Sequence, residues 1–149
     1  MKSLKSNGLL SDGEWMGVDT EIKYPGVDTC ITVTCLVGRT LAGCHLFHYW
    51  RPGNNQEHHD KCLSDFANAA VKHGPIKAVY IIGNIGHWAG HLAEVTKQLK
   101  EKLGYLGPIG GSEPETCTGE IAAKLTGPVS IAFTKDGSDE KLQLKILDL

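Results

Sequence analysis

Two β-type runs joined by a short turn constrain the fold of this chain more than any other feature. The first run begins Cys-Ile-Thr-Val-Thr-Cys-Leu-Val at Cys30, and the second, Leu-Ala-Gly-Cys-His-Leu-Phe-His-Tyr-Trp, follows the turn Gly38-Arg39-Thr40. Runs this close in sequence are typical of an antiparallel hairpin. Because side chains alternate along a strand, Cys30 falls on the face that carries two threonines. The hairpin is therefore predicted to bring a thiol near an imidazole, either His45 or His48.

The rest of the chain predicts an α/β (α+β) fold. The pattern indicates helices at about 56–73 and 88–103, a buried strand at 76–82, a loop at 108–118, and a hairpin of 129–134 with 141–146 across Asp136-Gly137. The order is thus hairpin, helix, strand, helix, hairpin. We expect a layered sandwich with a mostly antiparallel mixed sheet and two main helices.

Length and charge limit the classes of function. A chain of 149 residues predicts a single domain spanning 1–149, with a polar start through about Asp12 that we expect to be flexible. The formal charge of −2, with scattered basic residues, argues against a nucleic-acid partner. The apolar stretches fall short of the roughly 20 residues that cross a bilayer, which predicts no membrane insertion.

The cysteines predict a reducing environment and one reactive thiol. Five cysteines at irregular spacing fit neither a zinc pattern nor a complete set of disulfides. The start lacks the apolar segment of a Sec signal, so we expect a cytoplasmic protein or an effector exported without a cleavable signal. Cys30 is the candidate nucleophile, since a neighbouring imidazole stabilises a thiolate. The other four are predicted to be structural: Cys35, Cys44, Cys62 and Cys117.

The hairpin and the order of elements resemble the CheD family of chemoreceptor glutamine deamidases, related in fold to the catalytic domains of cytotoxic necrotizing factors. Gly26, Thr29 and Cys30 fall where the family has glycine, serine and its catalytic cysteine. His48 precedes Pro52 by the four residues that separate the family's histidine and proline. The resemblance covers about residues 22–147.

The resemblance implies a protein glutamine deamidase that needs no cofactor. Cys30 would attack the carboxamide of an exposed glutamine on a partner protein, and a histidine would act as the base. We favour His48 for that role, because Pro52 and the strand face that His48 would share with Leu46 and Trp50 fit the family's strand. The spacing from Cys30 to His45 matches the necrotizing-factor group, so His45 is the alternative. The family's auxiliary threonine corresponds to Tyr24 here, so either a neighbouring hydroxyl such as Thr29 or Thr20 orients the histidine or no residue does.

Two alternatives stay open from the sequence. The chain is either an enzyme, including a toxin-like effector that modifies a host or rival protein, or a catalytically inactive member of the same fold that binds a partner. The pair His87 and His91 has the spacing of two metal ligands on one helix face, but it lacks the glutamate of a zinc protease motif. We therefore predict no metal site.

Overall fold

The computed structural model describes residues 17–25, 27, 30–46, 56–88, 90–114 and 120–147. Within these ranges the chain forms two α-helices and nine strands, in agreement with the predicted α+β class. The elements are β1 (Gly17–Asp19), β2 (Glu21–Tyr24), β3 (Ile31–Val37), β4 (Thr40–Leu46), α1 (Gln56–Ala70), β5 (Ile76–Gly83), α2 (Leu92–Leu103), β6 (Ile109–Ser112), β7 (Ile121–Gly127), β8 (Ser130–Lys135) and β9 (Lys145–Ile146). Single 3₁₀ turns cover Val71–His73 and Ile85–Trp88.

The strands form two sheets. The larger sheet has the order β1-β4-β3-β5-β6-β9, and all its neighbours are antiparallel except β5 and β6. The smaller sheet has the order β2-β7-β8 and is antiparallel throughout. The helices and the smaller sheet cover opposite faces of the larger sheet, which produces three layers.

The hairpin of β3 and β4 forms as predicted, at the centre of the larger sheet. Its turn needs Gly38, whose φ of 58° is unfavourable for other residues and whose Cα faces the carbonyl of His73. The Gly38 amide donates to the carbonyl of Pro75 at 3.1 Å. Every residue of β3 is buried, because the strand has neighbours on both edges and layers on both faces.

The first core lies between the larger sheet and the helices. The alternation predicted for β3 is confirmed, with Ile31, Val33, Cys35 and Val37 all on this side. An apolar face of each helix packs against them, with these residues buried: Leu63, Phe66, Ala67, Ala70, Leu92, Val95, Leu99 and Leu103. Helix α2 ends at Gly104, whose left-handed conformation lets its amide donate to the carbonyl of Lys100.

The second core lies between the larger sheet and the smaller one. Its members come from both sheets and from the segment before β3: Ile22, Tyr24, Val27, Cys30, Leu36, Leu41, Ile82, Ile121, Ala123 and Phe133. This core therefore closes over the face of β3 that carries Cys30.

Three local predictions were wrong. The segment predicted as loop contains β6, which pairs in parallel with β5. The turn at Asp136-Gly137 exists, with φ values of 52° and 73°, but the strands on its two sides do not pair with each other: β8 pairs with β7, and β9 pairs with β6. Helix α2 begins at Leu92, after a 3₁₀ turn that ends at Trp88.

No helix in the described ranges combines the length and the hydropathy needed to cross a membrane.

Candidate functional site

Cys30 lies directly before β3 and faces the second core. Its side chain is only 3% exposed, and its neighbours in that core include Val27 and Ile82. The sequence predicted a polar face for Cys30, shared with Thr32 and Thr34. The three residues do share a face, but the smaller sheet covers it and both threonines are fully buried. The thiol is therefore enclosed in this conformation.

His45 lies on the same face of the hairpin as Cys30. The register pairs His45 of β4 with Thr32 of β3. Cys30 precedes Thr32 by two residues and is therefore the diagonal neighbour of His45. Diagonal neighbours of this kind are separated by roughly 7–8 Å between backbones, within reach of a long or aromatic side chain. His45 is also buried, with 1% exposure. The register thus places Cys30 and His45 at diagonal positions on one face of the hairpin.

The residue favoured from the sequence, His48, lies outside the described residues, as does Thr29. The argument for His48 used the strand face that it would share with Leu46. In the structure Leu46 faces the first core, on the side of β4 opposite to His45. Of the two candidate histidines, His45 is therefore the one whose position relative to Cys30 the structure describes.

Tyr24 of β2 connects the smaller sheet to His45. The two rings meet edge to face, with centroids 6.0 Å apart and planes inclined by 81°. The Tyr24 hydroxyl lies 2.7 Å from Oγ1 of Thr34 and donates to the carbonyl of Val33 at 3.3 Å. Complete burial raises the pKa of this phenol well above its ordinary value, so the hydroxyl stays protonated.

The sequence marked Tyr24 as a departure from the family pattern and missed its position beside the histidine. The signal that could have found it is Gly43, which pairs with Thr34 directly across the hairpin. A Cβ on Gly43 would collide with the Tyr24 hydroxyl, so the glycine creates the space that the phenol fills. The alternative orienting residue, Thr20, is exposed at the start of β2, and its carbonyl accepts from the amide of Leu125.

The end of β5 fixes the backbone of Cys30. The amide of Asn84 donates to the Cys30 carbonyl at 3.0 Å. Gly83 has a φ of 146°, and a Cβ there would stand 2.5 Å from that carbonyl. Thr32 adds a second link, since its hydroxyl donates to the carbonyl of Ile82 at 2.8 Å. The approach of β5 to Cys30 thus depends on a residue without a side chain.

The other described cysteines face the first core, as expected of structural residues. Burial raises the pKa of the Cys35 thiol well above its usual range. Burial and the neighbouring Cys62 do the same for Cys44, whose sulfur lies 3.6 Å from that of Cys62. The thiols of Cys35 and Cys44 are therefore protonated at neutral pH. Cys117 lies outside the described residues.

The described side chains contain no group of three histidine, cysteine or acidic residues that could hold a metal ion. His91 precedes α2, while the side chain of His87 lies outside the described part. An open groove of about 530 Å³ runs between α2 and β9, and it is lined in part by Thr96, Lys97 and Ile146. It belongs to the helical side of the larger sheet, whereas Cys30 faces the smaller sheet.

Comparisons with family models, with curated proteins and with solved structures gave no match to this chain.

Proposed function

We propose that this protein is a cysteine-dependent amidohydrolase that converts glutamine side chains of a partner protein to glutamate, with Cys30 as nucleophile and His45 as base. The observation that carries the proposal is the shared face of these two residues, set by the pairing of His45 with Thr32. A thiol and an imidazole on adjacent strands are the minimum set for thiol-based acyl transfer. The resemblance to chemoreceptor deamidases supplies the substrate class.

The chemistry follows from these two side chains. His45 takes the proton of the Cys30 thiol, and the thiolate attacks the carbon of the glutamine carboxamide. The protonated imidazole gives its proton to the leaving nitrogen, and ammonia departs, leaving a thioester. His45 then activates water, which breaks the thioester, releases glutamate and restores the thiol. No cofactor takes part in these steps.

Tyr24 is the positioning residue in this proposal. Its hydroxyl is held by Thr34 and Val33, so its ring presents a fixed edge to the imidazole. A ring packed in this way limits the orientations that His45 can adopt. It takes the place of the hydroxyl that the family pattern supplies.

In this proposal the enclosed conformation is a resting state, because both side chains are buried. At 3% exposure the Cys30 sulfur meets a glutamine only after groups around it move. A docked partner protein would supply the energy for that movement. A free thiol persists best in reducing surroundings, so we place the activity in the cytoplasm, either of the producing cell or of one that receives the protein.

The same burial favours a second candidate function, a binding module without catalysis. Cys30 is packed in a core with Val27 and Ile82, as a structural cysteine would be. In this alternative the hairpin is a scaffold, and His45 is a core residue packed against Tyr24.

Alkylation by iodoacetamide separates the two functions. Because Cys30 is enclosed in the resting conformation, we expect it to react slowly at neutral pH in the free protein, each time the enclosure opens. We expect His45→Gln to slow that reaction further, by at least about tenfold. His48→Ala is the matched comparison and should leave the rate unchanged. A loss of rate in His48→Ala alone would transfer the role of base to His48. A rate that neither substitution alters would contradict a role for either histidine as base and would favour the binding module.

Ammonia release gives the direct assay. Incubation of the protein with an unfolded, glutamine-rich substrate protein should release ammonia. Mass spectrometry should show that the substrate gains the mass of one glutamine-to-glutamate change at each modified site. Cys30→Ser should abolish the release, whereas Cys35→Ser, which changes a thiol on the opposite face of β3, should retain it if folded. Equal loss in both variants with intact folding would contradict the assignment of Cys30.

A further inference from the structure

A pair of thiols links β4 to α1 on the helical side of the larger sheet. The sulfurs of Cys44 and Cys62 lie 3.6 Å apart, and the two residues are eighteen positions apart in the chain. Both side chains are buried, at 0% and 1% exposure. The pair belongs to the first core, so the proposed activity makes no use of it.

We propose that Cys44 and Cys62 form a reversible disulfide by exchange with a small disulfide such as glutathione disulfide. The bond in a disulfide is about 2.05 Å long, so the sulfurs need to approach each other by roughly 1.5 Å. Cys44 and Cys62 lie on separate elements, a strand and a helix, that pack against each other. Small rotations of the two side chains, with a slight shift of α1, close this gap.

The reaction is an ordinary thiol–disulfide exchange. One of the two thiols loses its proton and attacks glutathione disulfide, forming a mixed disulfide and releasing one glutathione thiolate, which takes up that proton. The second thiol loses its proton and attacks the protein sulfur of the mixed disulfide. A second glutathione leaves and is protonated. The protein is oxidised by two electrons, and one glutathione disulfide is reduced to two glutathione molecules.

The fold also determines when this exchange can occur. Both sulfurs are shielded from solvent, and burial keeps the Cys44 thiol protonated. Exchange therefore proceeds during folding or when α1 moves away from β4, and the formed bond is shielded from reductants in the same way. The disulfide would join β4 to α1 one residue away from His45. It does not depend on the proposed deamidase activity.

Refolding of the parent protein in glutathione buffers tests the proposal. The full chain is unfolded in urea, refolded at a series of ratios of reduced to oxidised glutathione, blocked with N-ethylmaleimide and cut with trypsin. Cleavage after Arg39, Lys61 and Lys72 places Cys44 and Cys62 in separate peptides, 40–61 and 62–72. Cys30 and Cys35 fall together in peptide 24–39.

We expect the linked peptides 40–61 and 62–72 as the dominant product, at ratios where Cys35 stays reduced. The equilibrium constant for this link in the folded protein should exceed its value in urea by at least about tenfold, because the fold already holds the sulfurs in contact. Cys35→Ala should keep the link, and Cys62→Ala should abolish it. The proposal is overturned if the folded protein links other cysteines, or if folding fails to raise the equilibrium constant.

Discussion

The rings of Tyr24 and His45 meet edge to face, with centroids 6.0 Å apart, and this contact joins the smaller sheet to the proposed site on the larger one. Tyr24 belongs to β2 and His45 to β4, so neither strand alone determines the position of the imidazole. The phenol is itself fixed by the hydroxyl of Thr34 and the carbonyl of Val33. The pair therefore connects the stability of the second core to the chemistry proposed for Cys30.

Replacing Tyr24 should separate the role of its hydroxyl from that of its ring. Tyr24→Phe keeps the ring but leaves Thr34 without this partner, which should cost about 1–2 kcal/mol of unfolding free energy. Tyr24→Leu also removes the edge contact with His45 and should cost about 2 kcal/mol more. Urea denaturation measures both.

Alkylation of Cys30 tests whether Tyr24 positions His45. Tyr24→Phe should leave the pH profile of the alkylation rate unchanged. Tyr24→Leu, measured in conditions where the variant is folded, should shift the pH profile toward the profile of His45→Gln. If the two Tyr24 variants have the same pH profile as the parent, the ring contact has a purely structural role.

Gly43 and Tyr24 should behave as a coupled pair. Gly43→Ala places a Cβ against the phenol, and the Cδ1 atom of Ile22 would lie 2.9 Å from it. Because the site is closely packed, the substitution should lower the free energy of unfolding by several kcal/mol. In a Tyr24→Phe background the collision with the hydroxyl disappears. A double-mutant cycle should therefore show a coupling energy of at least about 1 kcal/mol. Additive effects would indicate that the backbone of β4 moves away instead.

Gly83 should be among the glycines least tolerant of substitution. Gly83 has a φ of 146°, and a Cβ there would stand 2.9 Å from the Cα of Ile31. We therefore expect Gly83→Ala to lower the free energy of unfolding by about 3 kcal/mol or more. Gly90→Ala is the matched control, since a Cβ there meets nothing within 4 Å. Thermal unfolding of both variants gives the comparison. Similar melting temperatures would mean that the end of β5 can retreat from Cys30.

Stability should fall in alkali because of the buried thiols. Burial raises the pKa of Cys35 far above its ordinary value of 9.0, so above that pH the unfolded chain loses a proton that the folded chain keeps. The stabilising contribution is complete below about pH 9 and then declines by about 1.4 kcal/mol per pH unit. Cys44 adds to this decline, since its pKa is raised too.

Cys35→Ala removes one thiol that ionises only in the unfolded chain. Above about pH 9 the unfolding free energy should therefore fall less steeply with pH, by about 1.4 kcal/mol per pH unit. Urea midpoints between about pH 7 and pH 10.5 measure the slope. Val79→Ala is the control, because Val79 pairs with Cys35 across β3 and β5 and does not titrate. It should lower stability by a similar amount at every pH. An unchanged slope in Cys35→Ala would show that this thiol ionises equally in both states.

The central part of the fold could be predicted because its signals are local. Period-two alternation with β-branched residues and a glycine turn specify β3 and β4, and apolar residues at helical spacing specify α1 and α2. The strand β6 could not be predicted, since it reads Ile-Gly-Gly-Ser and owes its conformation to pairing with β5. A Cβ on Gly111 would stand 2.5 Å from the carbonyl of Ile81. The glycines therefore permit the pairing of β6 with β5, although in the sequence they argue against a strand.

The site shows the same division between local and distant information. Alternation alone places Cys30 on the face of Thr32, and the hairpin register adds His45 to it. That this face is enclosed depends on the pairing of β2 with β7, which no local pattern encodes. The turn at Asp136-Gly137 misled for a different reason: its positive φ values were predicted correctly, but β8 pairs with β7 across the short turn before it and not with the segment after it.

The pairing of β2 with β7 also sets the order of events during synthesis. Tyr24 lies opposite Ile121, so nearly a hundred residues must leave the ribosome before the smaller sheet can close. Until then the hairpin can form with its thiol face open to chaperones, oxidants and alkylating compounds. Truncation anywhere before β7 would leave that face permanently uncovered. A nascent chain should therefore be most vulnerable at Cys30, and completion of its C-terminal third should be what protects it.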